Sequence, residues 1–196
     1  MALVLNGSGI TSANLVNGTI VDEDVADLAA SKLTGALPAI DGSALTGNVG
    51  KVLQVVYARV TSGSLNTTSA SYVDTGCAAS ITPKSSSSKI LIQMNAHVYI
   101  DNNASGQWSA ANFDITRGGT QVFQSSPGPT AGYTFGRYAT DGAMRYMGIA
   151  PITYLDSPST TSAVTYSLRV ASRNGYSILL NTSYGHHNIT LMEIAG

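Results

Sequence analysis

Charge is what this sequence has least of. Of its 196 residues, 11% are Asp, Glu, Lys or Arg, against about 25% in an ordinary soluble domain. Hydrophobic residues make up 43%, which excludes the charge-rich, aliphatic-poor composition of a disordered chain. There is no basic stripe, and the formal net charge is −1, so no nucleic-acid partner is expected. The single cysteine, Cys77, rules out an intrachain disulfide and reads as a small buried core residue. No apolar run approaches the ~20 residues that cross a bilayer as a helix, so no membrane insertion is expected. The opening Met-Ala-Leu-Val-Leu-Asn-Gly lacks the basic and apolar regions of a secretory signal. Without one, the six Asn-x-Ser/Thr sites, such as Asn66 and Asn188, read as a by-product of composition.

Catalytic patterns are missing too. The chain has no Gly-x-Ser-x-Gly, no His-Glu-x-x-His and no Gly-x-x-x-x-Gly-Lys, the spacings that build a nucleophile elbow, a zinc site or a phosphate cradle. Its two glutamates, Glu23 and Glu193, lie far apart in the chain. Glycan hydrolysis needs two facing carboxyls, and no spacing recommends Asp114, Asp141 or Asp156 for that task. A glycan-degrading enzyme is therefore the weakest reading, and a non-enzyme is expected.

What the chain does hold is serine, threonine, asparagine and 20 glycines, a mix suited to extended, tightly turning structure. It falls into two stretches. Residues 1–50 carry five acids against one lysine, and residues 51–196 carry nine bases against six acids. The first stretch has short apolar pairs punctuated by glycine. It also has a small repeat, Ser31-Lys32-Leu33-Thr34-Gly35 and Ser43-Ala44-Leu45-Thr46-Gly47. Two such units cannot bury their apolar faces alone; identical chains wrapped around each other would bury them. One short helix is predicted between Asp22 and Ala30, with Asp22 as cap and Val25, Leu28 and Ala29 on one face.

From Lys51 the pattern turns to strands, with β-branched and aromatic runs at 52–60, 72–81, 89–100, 111–123, 144–155, 164–171, 176–180 and 189–194. Turn residues separate them, and Asn174-Gly175 is the strongest hairpin signal. About eight strands without a helix predict an all-β fold, a β-sandwich of the jelly-roll kind. The stretch from Gln124 to Ala143, with two prolines and four glycines, reads as one large packed or functional loop.

Leu37-Pro-Ala-Ile-Asp-Gly-Ser-Ala-Leu-Thr-Gly47 resembles a segment that recurs in bacteriophage tail-fibre proteins just before a C-terminal head domain. Asn17-Gly-Thr-Ile-Val-Asp-Glu-Asp-Val-Ala-Asp-Leu28 is similar to their short shaft repeats. The portion from Val52-Leu-Gln-Val-Val to Asn188-Ile-Thr-Leu-Met-Glu-Ile-Ala195 resembles their small trimeric heads, and also the complement and tumour-necrosis-factor type of jelly roll. The resemblance implies a homotrimeric virion structural protein. Residues 1–50 would be an intertwined arm docking on other virion proteins, and residues 51–196 a head for host attachment. The shaft is short for such a fibre, which leaves a head-decoration fibre on the capsid surface, or a baseplate tip, as the alternative place.

Loop aromatics are the candidate receptor-binding residues: Trp108, Tyr133, Phe135, Tyr138 and Tyr184. Sugar rings stack their apolar faces on aromatic rings while their hydroxyls meet polar groups, so a host surface glycan or protein is the expected partner. Adjacent His186 and His187 point to opposite faces if they lie on a strand. Three copies of one of them around a trimer axis would offer imidazoles to a first-row metal, but the bland reading is a hydrogen-bonding loop pair, and no metal or other cofactor is expected. Asp101-Asn-Asn103 opens like a calcium loop, yet its twelfth position is Asn112 where a bidentate glutamate belongs.

Overall fold

The computed structural model describes residues 52–60, 63–102, 106–130, 134–140, 144–180 and 185–196. The arm, residues 1–50, and its short helix lie outside the described residues, as do Tyr133 and Tyr184. Among the described residues there are eleven strands and no helix.

The strands are β1 (Val52–Arg59), β2 (Leu65–Thr67), β3 (Val73–Ile81), β4 (Lys89–Asn102), β5 (Gln107–Arg117) and β6 (Thr120–Gln124). There follow β7 (Phe135–Ala139), β8 (Met144–Asp156), β9 (Val164–Arg173), β10 (Ser177–Leu180) and β11 (Asn188–Ile194). They form two antiparallel sheets resembling a jelly-roll β-sandwich. In sheet A, β4 lies between β8 and a pair of shorter strands, β11 and β10, which continue one another along the same edge; β1 and β2 flank these in turn. In sheet B the order is β3-β9-β5, with β6 and β7 sharing the far edge of β5. Eleven strands therefore occupy eight side-by-side positions.

Alternation drives this arrangement. On β4 the even residues Ile90, Ile92, Met94, Ala96, Val98 and Ile100 are buried, while the odd ones stay half open. They meet Ala111, Phe113 and Ile115 of β5 and Tyr166, Leu168 and Val170 of β9 in one core between the sheets. Cys77 belongs to that core, as its sequence context predicts. Burial, with a smaller push from the Asp74 carboxylate, raises its thiol to about 12, so it stays protonated.

The turns divide into those that pair what they join and those that do not. Gly118 and Gly119 both have positive φ and close a two-residue hairpin in which Arg117 faces Thr120. This splits the run 111–123, expected as one strand, into β5 and β6. Asn174 and Gly175 also have positive φ, yet the hairpin predicted there does not form. Both edges of β9 are already taken by β3 and β5, so the chain crosses to sheet A, where β10 pairs with β4 and β2. The expected loop 124–143 likewise holds β7, which pairs with the first half of β5.

Buried polar groups tie the ends of the sandwich. Glu193 of β11 is fully buried and accepts from the Lys84 N–H at 2.7 Å and from Gln54 Nε2 at 2.6 Å. Gln54 also donates to the Thr82 carbonyl, so the β3–β4 connection is pinned at two points. Asp156 of β8 takes Arg117 Nη1 and the Tyr166 hydroxyl, each at 2.7 Å, joining the two sheets. Asp114 and Arg169, paired across β5 and β9, make a two-pronged ion pair with the carboxylate fully buried. None of the three carboxylates faces another, so the only described aspartates considered for catalysis, Asp114 and Asp156, are each engaged by an arginine.

Burial would raise the Glu193 pKa, but the hydrogen bonds from Gln54 and the Lys84 N–H, with the donors of Ser85 and Ser88 close by, outweigh it and hold the carboxyl below its ordinary value. Its stabilisation is therefore present above the unfolded value near 4.5 and is lost as pH falls below that. Glu193→Gln should lower stability by about 1.5–3 kcal/mol at pH 7, the worth of hydrogen bonds to a buried charged group. The difference from wild type should shrink below pH 4. Urea unfolding at both pH values checks this.

Candidate functional site

Two outer faces remain once the core is filled, and they differ. On sheet B, β5 is buried on both sides from Ser109 to Thr116. Part of the reason is the segment after β6. Ser125 donates its N–H to the Phe113 carbonyl and accepts the Phe113 N–H on its hydroxyl, both at 2.9 Å. Asn112 donates to the Pro129 carbonyl and accepts from the Thr134 N–H. The connection between β6 and β7 is thereby fastened to β5 at both ends.

Beyond that connection, at the start of β5, Trp108 faces Tyr138 of β7 in direct cross-strand register. Their ring centroids are 5.2 Å apart with planes tilted by 56°, and each residue is 40% exposed. A tilted, half-open aromatic pair presents part of its ring surface outward. Asn174, from the turn after β9, donates its side-chain N–H to the Trp108 carbonyl at 2.8 Å, which places a polar group at the margin of the pair. The structure thus brings together two of the aromatic residues picked out in the sequence. Phe135 lies elsewhere. Three residues from Tyr138 on β7, it points to the opposite face, packs against the core and stacks on Tyr146 at 5.0 Å.

The outer face of sheet A exposes apolar side chains. Val52, Val55 and Tyr57 of β1 and Met147, Ile149 and Leu155 of β8 are each about half exposed. The register sets them on the same side of the sheet as the odd residues of β4: Leu155 beside Leu91, Ile149 beside His97, Met147 beside Tyr99. Six of the eight large exposed apolar residues among the described ones stand on this face; the other two are Trp108 and Tyr138. Its charged groups are confined to the margins, with Lys89 at one end, the Asp101–Arg145 pair, 3.6 Å apart, at the other, and Arg59 on the β1 side. A signal for this face was available. β8 carries large apolar residues at both parities, Met147, Ile149 and Leu155 outward and Ile152 inward, the mark of a strand covered on both sides.

His187 is not presented to an outer face. It is fully buried, which removes it from any metal site on an axis outside the sandwich. Among the described residues no group of three His, Cys, Asp or Glu side chains is placed to hold a metal ion. No helix among them is long and apolar enough to cross a membrane.

No family model matches the sequence, and no curated protein does. Among solved structures, the chain is similar to the crystal structure of the infectious bursal disease virus VP2 subviral particle, at 12% identity and a TM-score of 0.36. That likeness covers 72% of this chain and 37% of the other, so the chain spans little more than a third of that protein's length.

The half-open state of the ring pair sets what it contributes to folding. Trp108→Ala should lose about 0.5–1.5 kcal/mol of pair coupling and the partial burial of the ring besides, still less than the ~3–5 kcal/mol for a core aromatic. Chemical unfolding of Trp108→Ala beside Phe113→Ala separates the two ranges.

Proposed function

We propose that this protein is a virion structural subunit that works as a homotrimer, with the sandwich as the head of a short bacteriophage tail fibre for host attachment. The observation that carries the reading is the set of large apolar side chains exposed on the outer face of sheet A. β4, at 14 residues, sets its length at roughly 45 Å, and four strand positions set its width near ~19 Å, from the usual strand rise and spacing. That is about 800 Å², the area each partner buries in a standard stable interface. On that face two apolar patches, Leu155, Leu91, Met192 and Val55 towards one end and Ile149, Met147 and Tyr99 towards the other, flank a band of Gln93, Asn95, Thr153, Asn188 and Thr190. Apolar patches with uncharged polar groups between them and charges at the margins are the layout of an interaction surface. Lateral growth of the sheet is disfavoured on the β8 side, where Pro151 lies in the edge strand and cannot donate to a ladder. Identical copies would close into a ring where one part of this face meets a different part of the next copy, head to tail, and three copies fit the resemblance to trimeric fibre heads.

In the trimer each head keeps its Trp108–Tyr138 pair on the opposite sheet. We assign attachment to that pair, with Tyr133 and Tyr184 as further candidates; Phe135, turned into the core, takes no part. A glycan's hexose faces stack on the rings, and three weak sites gain strength through high effective concentration. Residues 1–50 dock the fibre on the virion. The same apolar face and head also suit a capsid-decoration protein, whose subunits must pack against one another on the shell; a position on the capsid surface is therefore the second reading. Catalysis has no part in either.

Sedimentation velocity of the full chain at micromolar concentration should give three times the single-chain mass. Ile149→Lys combined with Val55→Lys should give a folded single chain. A wild-type protein that runs as one chain removes the proposal. Deleting residues 1–50 should leave a folded head that no longer joins the particle, and gold labelling of intact particles decides between tail and shell. On host polysaccharide arrays Trp108→Ala and Tyr138→Ala should each lose tenfold or more of the trimer's binding, since each loss counts three times.

A further inference from the structure

β4 changes partners along one edge. Residues 89–95 pair with β11 and residues 98–101 with β10, and neither strand lies beside Ala96 and His97. The imidazole of His187 fills that place. Its Nδ1 accepts the backbone N–H of His97 at 3.2 Å, and its own carbonyl accepts the Val60 N–H at 3.0 Å. With Nδ1 accepting, the neutral ring carries its proton on Nε2, and that atom is buried with no partner among the described residues. Gly185 lies so close to the His97 ring that a β-carbon there would collide with it. The chain's three histidines, 97, 186 and 187, thus gather at one interruption in the sheet.

We propose that His187 is an acid-operated latch. While neutral it completes the β4 edge and holds residues 185–187 against the sheet; once protonated it releases them. The chemistry follows from the hydrogen bond. A protonated Nδ1 is a donor facing the donor N–H of His97, so the bond is lost, and a cation is left in a fully buried position. The titratable groups acting on the ring are His97 from β4 and His186 beside it in the chain. Both disfavour the cation, and no carboxylate acts on it among the described residues. Burial first, then these two histidines, holds the ring's pKa at about 4 instead of 6.5.

The sign is fixed by linkage. Above pH 6.5 the ring is neutral whether latched or free, and the latch is at full strength. Between 6.5 and about 4 the free form takes up a proton that the latched form refuses, so each pH unit raises the open-to-latched ratio about tenfold. The device acts within one sandwich and is the same for a lone head or an assembly.

Hydrogen exchange on the full chain tests it, read as protection factors for residues 94–100 and 185–190 at pH 7.5, 5.5 and 4.5. These segments should lose protection by about tenfold per unit below pH 6.5 before β3, β5 and β9 lose any. His187→Gln keeps an acceptor for the His97 N–H but cannot titrate, and should flatten the dependence. An equal slope in the variant, or a loss spread evenly over both sheets, overturns the proposal. Should the variant not fold, NMR titration of wild-type His187 decides: a value near 4 supports the latch, and one near 6.5 sinks it.

Discussion

The whole sandwich depends on keeping two long central strands hydrogen-bonded along edges that no single partner covers. β4 is served by β11 and then β10, and β5 by β6 and then β7. Each handover interrupts the ladder in the buried middle of a sheet, where an unmade backbone bond costs about 1–3 kcal/mol. Both interruptions are repaired by a side chain. His187 accepts from His97 in sheet A, and Ser125 pairs with Phe113 in sheet B. Broken partner strands are what allow the chain to cross between sheets so often, so these two small repairs underlie the topology.

The repairs differ in chemistry. A serine hydroxyl neither titrates nor changes its role as donor and acceptor at ordinary pH. An imidazole loses its acceptor when it gains a proton. The sheet held by the histidine is also the one whose outer face exposes apolar side chains, and His97, whose ring meets Gly185, points to that face beside Ile149. The sheet held by the serine has its central strand covered on both sides from Ser109 to Thr116, and its large exposed apolar residues among the described ones are Trp108 and Tyr138. The two faces therefore differ in what they expose: apolar residues of β1 and β8 on sheet A, and the Trp108–Tyr138 pair on sheet B.

Carboxylates in this charge-poor chain act as fasteners. Glu193 gathers donors from β1 and from the β3–β4 connection, Asp156 joins the sheets through Arg117 and Tyr166, and Asp114 holds Arg169, which also lies over the Tyr72 ring at 5.7 Å. Each is buried and each has its partners, the condition under which burying charge is tolerated.

The sequence by itself determined the all-β class, the strand runs, the buried cysteine and the turn at Asn174-Gly175, because these follow from local composition and from backbone sterics. It pointed to Trp108 and Tyr138 separately, as aromatic residues near turns. Only the tertiary structure decided that they touch, that Asn174-Gly175 leads to another sheet and that β7 interrupts the supposed loop. Whether two strands pair depends on which edges are still free, and a free edge is set by residues far along the chain. Nothing near residue 174 records that β3 and β5 already occupy both sides of β9.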